Sequence, residues 1–126
     1  MTRSAREIRE EIIATVLRNG GHLASSLGAV ELSMALAEAF DPERDRVVWD
    51  VGHQAYAWKI LTGRGGRFGS IRTLGGLSPF LDPAESPADA AVLRNVASCI
   101  RGEQEHMTIP VSSCSFIASF IISCPA

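Results

Sequence analysis

The chain has 126 residues and a mass of 13.5 kDa, room for one domain with an ordinary core. Its 12 Lys+Arg against 14 Asp+Glu give a formal net charge of −2, so the basic excess of a nucleic-acid binder is missing. With 46% hydrophobic and 21% charged residues, the composition is that of a folded chain rather than a disordered one.

Ser4-Ala5-Arg6-Glu7 is a capping-box sequence, in which the Ser hydroxyl and the Glu carboxylate each satisfy an amide at a helix start. Ile8, Ile12, Ile13, Val16 and Leu17 follow at helical spacing, and Asn19-Gly20-Gly21 supplies a stop, which predicts a helix over 5–18. Ser25 or Ser26 is a candidate cap for a second helix over 26–39, which directs Leu27, Val30, Met34 and Ala37 to a core and ends before Asp41-Pro42. Arg46-Val47-Val48-Trp49-Asp50 reads as a buried strand, and residues 54–62 as a helix closed by Gly63. The order helix, helix, strand, helix predicts an α/β layer with parallel strands.

Residues 63–87 are rich in Gly and Pro and read as a loop with one short helix at 67–73. A further helix is expected over 88–100, with Pro87 in its first turn. From Met107 to Ala126 no side chain is charged, yet its stretch from Ile109 to Cys124 has only 16 residues, five of them Ser, and is too short and too polar for a membrane span. Cys99, Cys114 and Cys124 lack the number and spacing of a disulfide framework or a CxxC metal pair, and reduced thiols are the simplest reading. His106 beside these cysteines makes no metal set either. The start MTRSAREIREEI has no apolar run of a secretory signal, so a cytoplasmic location is expected, with neither membrane nor nucleic acid as a partner.

Two histidines stand at element ends. His22 precedes a predicted helix N-terminus, where free amides favour anions. His53 follows the predicted strand, at the sheet edge where open α/β folds bind ligands, and a neutral imidazole there can donate to a diphosphate oxygen or move a proton. Loop or capping roles are the bland alternative for both. Asp50 can cap the next helix or touch a ligand. Gly63-Arg64-Gly65-Gly66-Arg67 lacks the GK[ST] ending of a nucleotide loop and reads as a plain flexible loop rather than a phosphate cradle.

Gly20-Gly21-His22-Leu23-Ala24-Ser25-Ser26-Leu27-Gly28, then Trp49-Asp50-Val51-Gly52-His53-Gln54-Ala55-Tyr56, resemble the amino-terminal domain of the deoxyxylulose-phosphate synthase family, relatives of transketolase. Lys59-Ile60-Leu61-Thr62-Gly63-Arg64 and Gly75-Gly76-Leu77-Ser78-Pro79-Phe80 continue the match, which covers about residues 3–90. The resemblance implies an α/β thiamine-diphosphate-binding fold, here incomplete, over residues 1–90, with 91–126 as a divergent tail, out of frame or unstructured. It implies thiamine diphosphate and magnesium as cofactors, pyruvate and glyceraldehyde 3-phosphate as substrates, and a homodimer. By position, His53 matches the family His at the cofactor diphosphate, and His22 the His of substrate binding and proton transfer. Residues 77–86, with the glycine-rich loop, match a segment that is mobile in the family.

Departures accompany the match. After Glu85-Ser86 the family's Gly-His-Ser loop does not follow, and the Gly-Asp-Gly metal motif is missing, as no Asp follows Asp89. No metal ligand is therefore assigned. The glutamate of a second domain, which activates the cofactor in the family, is also missing, so the isolated chain is expected to be inactive. The alternatives are a subunit of a split transketolase-like enzyme and a non-catalytic interaction remnant.

Overall fold

The first helix forms where the capping box demands it. In the computed structural model, which describes residues 3–42, 44–45, 47–49 and 52–89 and the backbone of 116–118, α1 runs Ala5–Asn19. Ser4 Oγ accepts from the Glu7 amide at 3.3 Å, and the Glu7 carboxylate accepts from the Ser4 amide at 2.7 Å. Gly20 ends the helix with φ +76°, a conformation that suits a residue without Cβ. Ile8, Ile12 and Val16 face the core, whereas Leu17 is 77% exposed and Ile13 lies at the boundary. The inward stripe is thus narrower than the sequence pattern suggests.

The expected helix over 26–39 is two helices. α2 spans Leu23–Gly28 and α3 spans Val30–Ala39, with Ala29 (φ −100°, ψ 4°) as the break. Neither Ser25 nor Ser26 caps α2; its N-cap is His22, which makes no side-chain capping bond. The strand lies where expected: β1 is Val47–Trp49, all three residues fully buried, and residues 46 and 50 lie outside the described residues. β1 pairs in parallel with β2, Phe116–Ala118, in the register Val47↔Phe116, Val48↔Ile117, Trp49↔Ala118.

The helix expected over 54–62 is shorter and interrupted. A 3-10 turn at Gly52–Gln54 leads into α4, Tyr56–Lys59, followed by a wider turn at Ile60–Arg64 that leaves helical geometry at Thr62 and Gly63, the latter at φ +92°. The short helix expected at 67–73 is a 3-10 segment at Gly65–Ser70. Of the helix expected at 88–100, Ala88 and Asp89 are not helical and the remainder lies outside the described residues. The described part is therefore rich in helix and poor in sheet.

Two apolar clusters make the core. Ile8, Ile12 and Val16 of α1 meet Val30, Tyr56, Ile60, Phe68, Ile71 and Leu77 in one. Ala29, Leu36, Val47, Trp49, Ala55, Trp58 and Leu81 form the other. Asn19 joins distant segments, its side-chain amide donating to the carbonyls of Gly69 (3.0 Å) and Ile71 (2.8 Å).

Arg64 and Lys59 sit inside this fold, which corrects the reading of 63–67 as a plain loop. Arg64 donates to both Asp89 carboxylate oxygens at 2.5 and 2.7 Å, and Lys59 Nζ donates to Glu85 Oε2 at 2.6 Å. The Lys59 and Asp89 side chains are 0% exposed and Arg64 is 6% exposed. Glu85 Oε1 accepts from the Ser78 amide at 2.5 Å, and Asp89 Oδ2 from the Asp82 amide at 2.8 Å. The Trp58 indole N–H donates to the Ala88 carbonyl at 3.2 Å. Residues 77–89 are thereby strapped across α4. Arg64 turns inward, where a buried carboxylate partner is available. Among the described residues no helix is long and apolar enough to cross a membrane.

Candidate functional site

His22 and His53, 31 positions apart, come together. Their ring centroids are 4.0 Å apart with planes tilted by 57°. His22 reaches this place from the start of α2, and His53 from the middle of the 3-10 turn that follows β1. His22 is exposed and His53 half-buried. Phe80, of residues 77–89, meets His53 edge-on at 5.5 Å between centroids.

Two glycines allow this approach. A Cβ on Gly52 would stand 2.6 Å from Phe80 Cδ1, and one on Gly21 would stand 2.8 Å from the Tyr56 hydroxyl. Gly21 also has φ +135°, a conformation that side chains rarely adopt. Arg72 passes close to Gly21 and contributes positive charge near His53.

Hydroxyls brace the backbone behind the rings. Ser26 Oγ lies 2.8 Å from the His22 carbonyl and 2.9 Å from the His53 carbonyl. Ser25 Oγ donates to the same His53 carbonyl at a longer 3.4 Å. The sequence patterns marked these serines as caps, and no local signal showed that Ser26 reaches across 27 positions to His53.

Burial lowers the His53 pKa below its ordinary 6.5, and repulsion from His22 and Arg72 adds to the effect. Near neutral pH its ring is uncharged, with one nitrogen donating and the other accepting. Among the described residues neither imidazole makes a hydrogen bond or ion pair with a carboxylate. The site thus offers ring N–H donors and an Arg, with no neighbouring carboxylate among the described residues, which fits the negatively charged end of a ligand. No group of three His, Cys, Asp or Glu side chains gathers as metal ligands among the described residues. Asp50 and His106 lie outside the described residues.

Residues 1–101 match a family model described as 1-deoxy-D-xylulose-5-phosphate synthase. The chain is 62% identical over 85 residues to 1-deoxy-D-xylulose-5-phosphate synthase 2 of Geobacter sulfurreducens, covering 68% of this chain and 14% of that protein. It is 60% identical over 86 residues to the synthase of Thermus thermophilus, with the same coverage of each. An alignment of 126 positions with the synthase of Nitratidesulfovibrio vulgaris is 44% identical and takes in 90% of this chain and 20% of the relative. The chain thus spans between about a seventh and a fifth of the length of these curated relatives.

Proposed function

This chain belongs to the 1-deoxy-D-xylulose-5-phosphate synthase family, and from that premise we propose that its residues 1–90 are the opening part of a thiamine-diphosphate-binding α/β domain. The reaction served is the condensation of pyruvate with glyceraldehyde 3-phosphate and loss of CO2, a transferase step towards isoprenoids. The observation that carries this reading is the His22–His53 contact, which brings the two histidines of the family motifs to one place.

The chemistry supplied by bound thiamine diphosphate is a nucleophilic carbon that accepts pyruvate and holds the electron pair released with CO2. His53 is kept neutral by burial and donates a ring N–H to a diphosphate oxygen. Arg72 adds positive charge near His53. His22, exposed beside it, binds the substrate and moves a proton at its ring nitrogen. Phe80 packs edge-on against the His53 ring. Magnesium is a family requirement for which the described residues provide no ligand set, and no step here is routed through it.

A chimera tests the proposal. Residues 1–90 replace the matching segment of the Geobacter sulfurreducens relative, and product formation is compared with that of the parent. The expected rate lies within about tenfold of the parent, a difference of ~1.4 kcal/mol in barrier. A His53→Ala chimera is expected to lose about a hundredfold, the scale of a lost positioning contact. A folded chimera without activity, or one indifferent to His53→Ala, would overturn the reading.

A further inference from the structure

The pair of histidines is held from behind: Ser25 Oγ reaches only the His53 carbonyl, at 3.4 Å, whereas Ser26 Oγ reaches the carbonyls of both. Ser26 is 0% exposed. Its bond to the His22 carbonyl at 2.8 Å is the ordinary back-bond of a helical serine to the residue four positions earlier. Its approach to the His53 carbonyl at 2.9 Å has no such local explanation, since His53 belongs to a different element. One hydroxyl carries one proton, so the two carbonyls share it.

Ser33 supplies the contrast. It is equally buried and back-bonds to the Ala29 carbonyl at 2.7 Å, but no long-range bond from it is seen among the described residues. Ser26 differs from it in one respect, that its acceptors are the backbones of both site histidines.

We propose that Ser26 is a positioning residue that clamps the His22 and His53 backbones at one hydroxyl and so sets the separation of their rings. The clamp rests on the reading of these histidines as the site, given above. Because the acceptors are main-chain carbonyls, each histidine keeps both ring nitrogens for other partners. The charged and titratable groups that face His53 are His22 and Arg72, with the Tyr56 hydroxyl near Gly21; no carboxylate faces it among the described residues.

The test is made on the 126-residue chain by NMR. Isotope-labelled imidazoles report a cross-relaxation peak between the His22 and His53 rings, and the His53 titration is followed in parallel. Ser26→Ala keeps a good helix former at this place and removes only the hydroxyl. It is expected to lose more than half of the inter-ring peak and to move the His53 midpoint back towards its ordinary value as the rings part. Ser33→Ala is expected to change neither, and Ser26→Thr, which retains a donor, to keep both near the parent. An unchanged peak in Ser26→Ala, or an equal loss in Ser33→Ala, would overturn the clamp. If circular dichroism shows that Ser26→Ala does not fold, Ser26→Cys replaces it: its weak donor should give an intermediate peak, and a full-strength one counts against the proposal. No cofactor enters the measurement, so an inactive chimera with an intact clamp would strike only the functional reading.

Discussion

Replacing Asp89 with Ala should unfold this chain more readily than any surface change. The Asp89 carboxylate is fully buried, accepts two bonds from Arg64 and one from the Asp82 amide, and stands 4.0 Å from Lys59 Nζ. Its removal leaves two buried cations facing Glu85 alone, whose side chain is 16% exposed. Leaving a buried charge without its partner costs about 3–5 kcal/mol. Against a total stability of ~5–15 kcal/mol for an ordinary domain, that is a large share. The expected fall in Tm is about 10–20 °C. Thermal and urea unfolding, each followed by the fluorescence of the fully buried Trp49 and Trp58, measure the fall in Tm and the loss of free energy. The double variant Arg64→Met/Asp89→Leu removes one charge of each sign, and it should be less damaged than Asp89→Ala. A loss below ~1 kcal/mol, the value of a solvent-exposed pair, would refute the reasoning.

Two further outcomes concern acid and packing. The folded chain takes up the His53 proton at a lower pH than the unfolded chain does, so stability should begin to decline as pH falls below about 6.5. Burial by itself raises the pKa of Glu85, but the Lys59 and Ser78 hydrogen bonds and the Lys59 and Arg64 charges outweigh it and hold it below 4.5. The stabilisation from that carboxylate is present above 4.5 and is lost as pH falls through the folded value, giving a second decline; urea midpoints over a pH series would show both, and a flat profile would contradict them. In the turn that precedes the strap, a Cβ on Gly76 would overlap the Ser70 carbonyl, which is backbone and cannot swing aside. Gly76→Ala should therefore cost about 1–3 kcal/mol of unfolding free energy, whereas Gly66→Ala, with nothing within 4 Å, should show no clash.

Local rules explain what was legible. The capping box and the glycine stop define α1 to within one residue, because both act through neighbouring amides. Val47-Val48-Trp49 reads as strand because it is short, branched and apolar. The positions of His22 and His53 at element ends were equally plain, yet their 4.0 Å contact depends on how α2 is set against the turn after β1, and no spacing encodes that. The break at Ala29 escaped for a similar reason. Helical periodicity runs smoothly through 26–39, and the break shows only in the backbone of Ala29, which leaves helical geometry at φ −100° and ψ 4°. Arg64 misled most, since a Gly-flanked arginine looks solvent-facing until its carboxylate appears 25 positions later.

The strap's two ion pairs also bear on how this sequence can drift. Lys59, Arg64, Glu85 and Asp89 balance two positive charges with two negative ones inside the protein. A single exchange at any of them passes through an unbalanced interior, while a paired exchange restores the balance. Descendants of this gene should therefore change these four positions in matched pairs or leave them alone, even as exposed neighbours such as Leu74 vary freely.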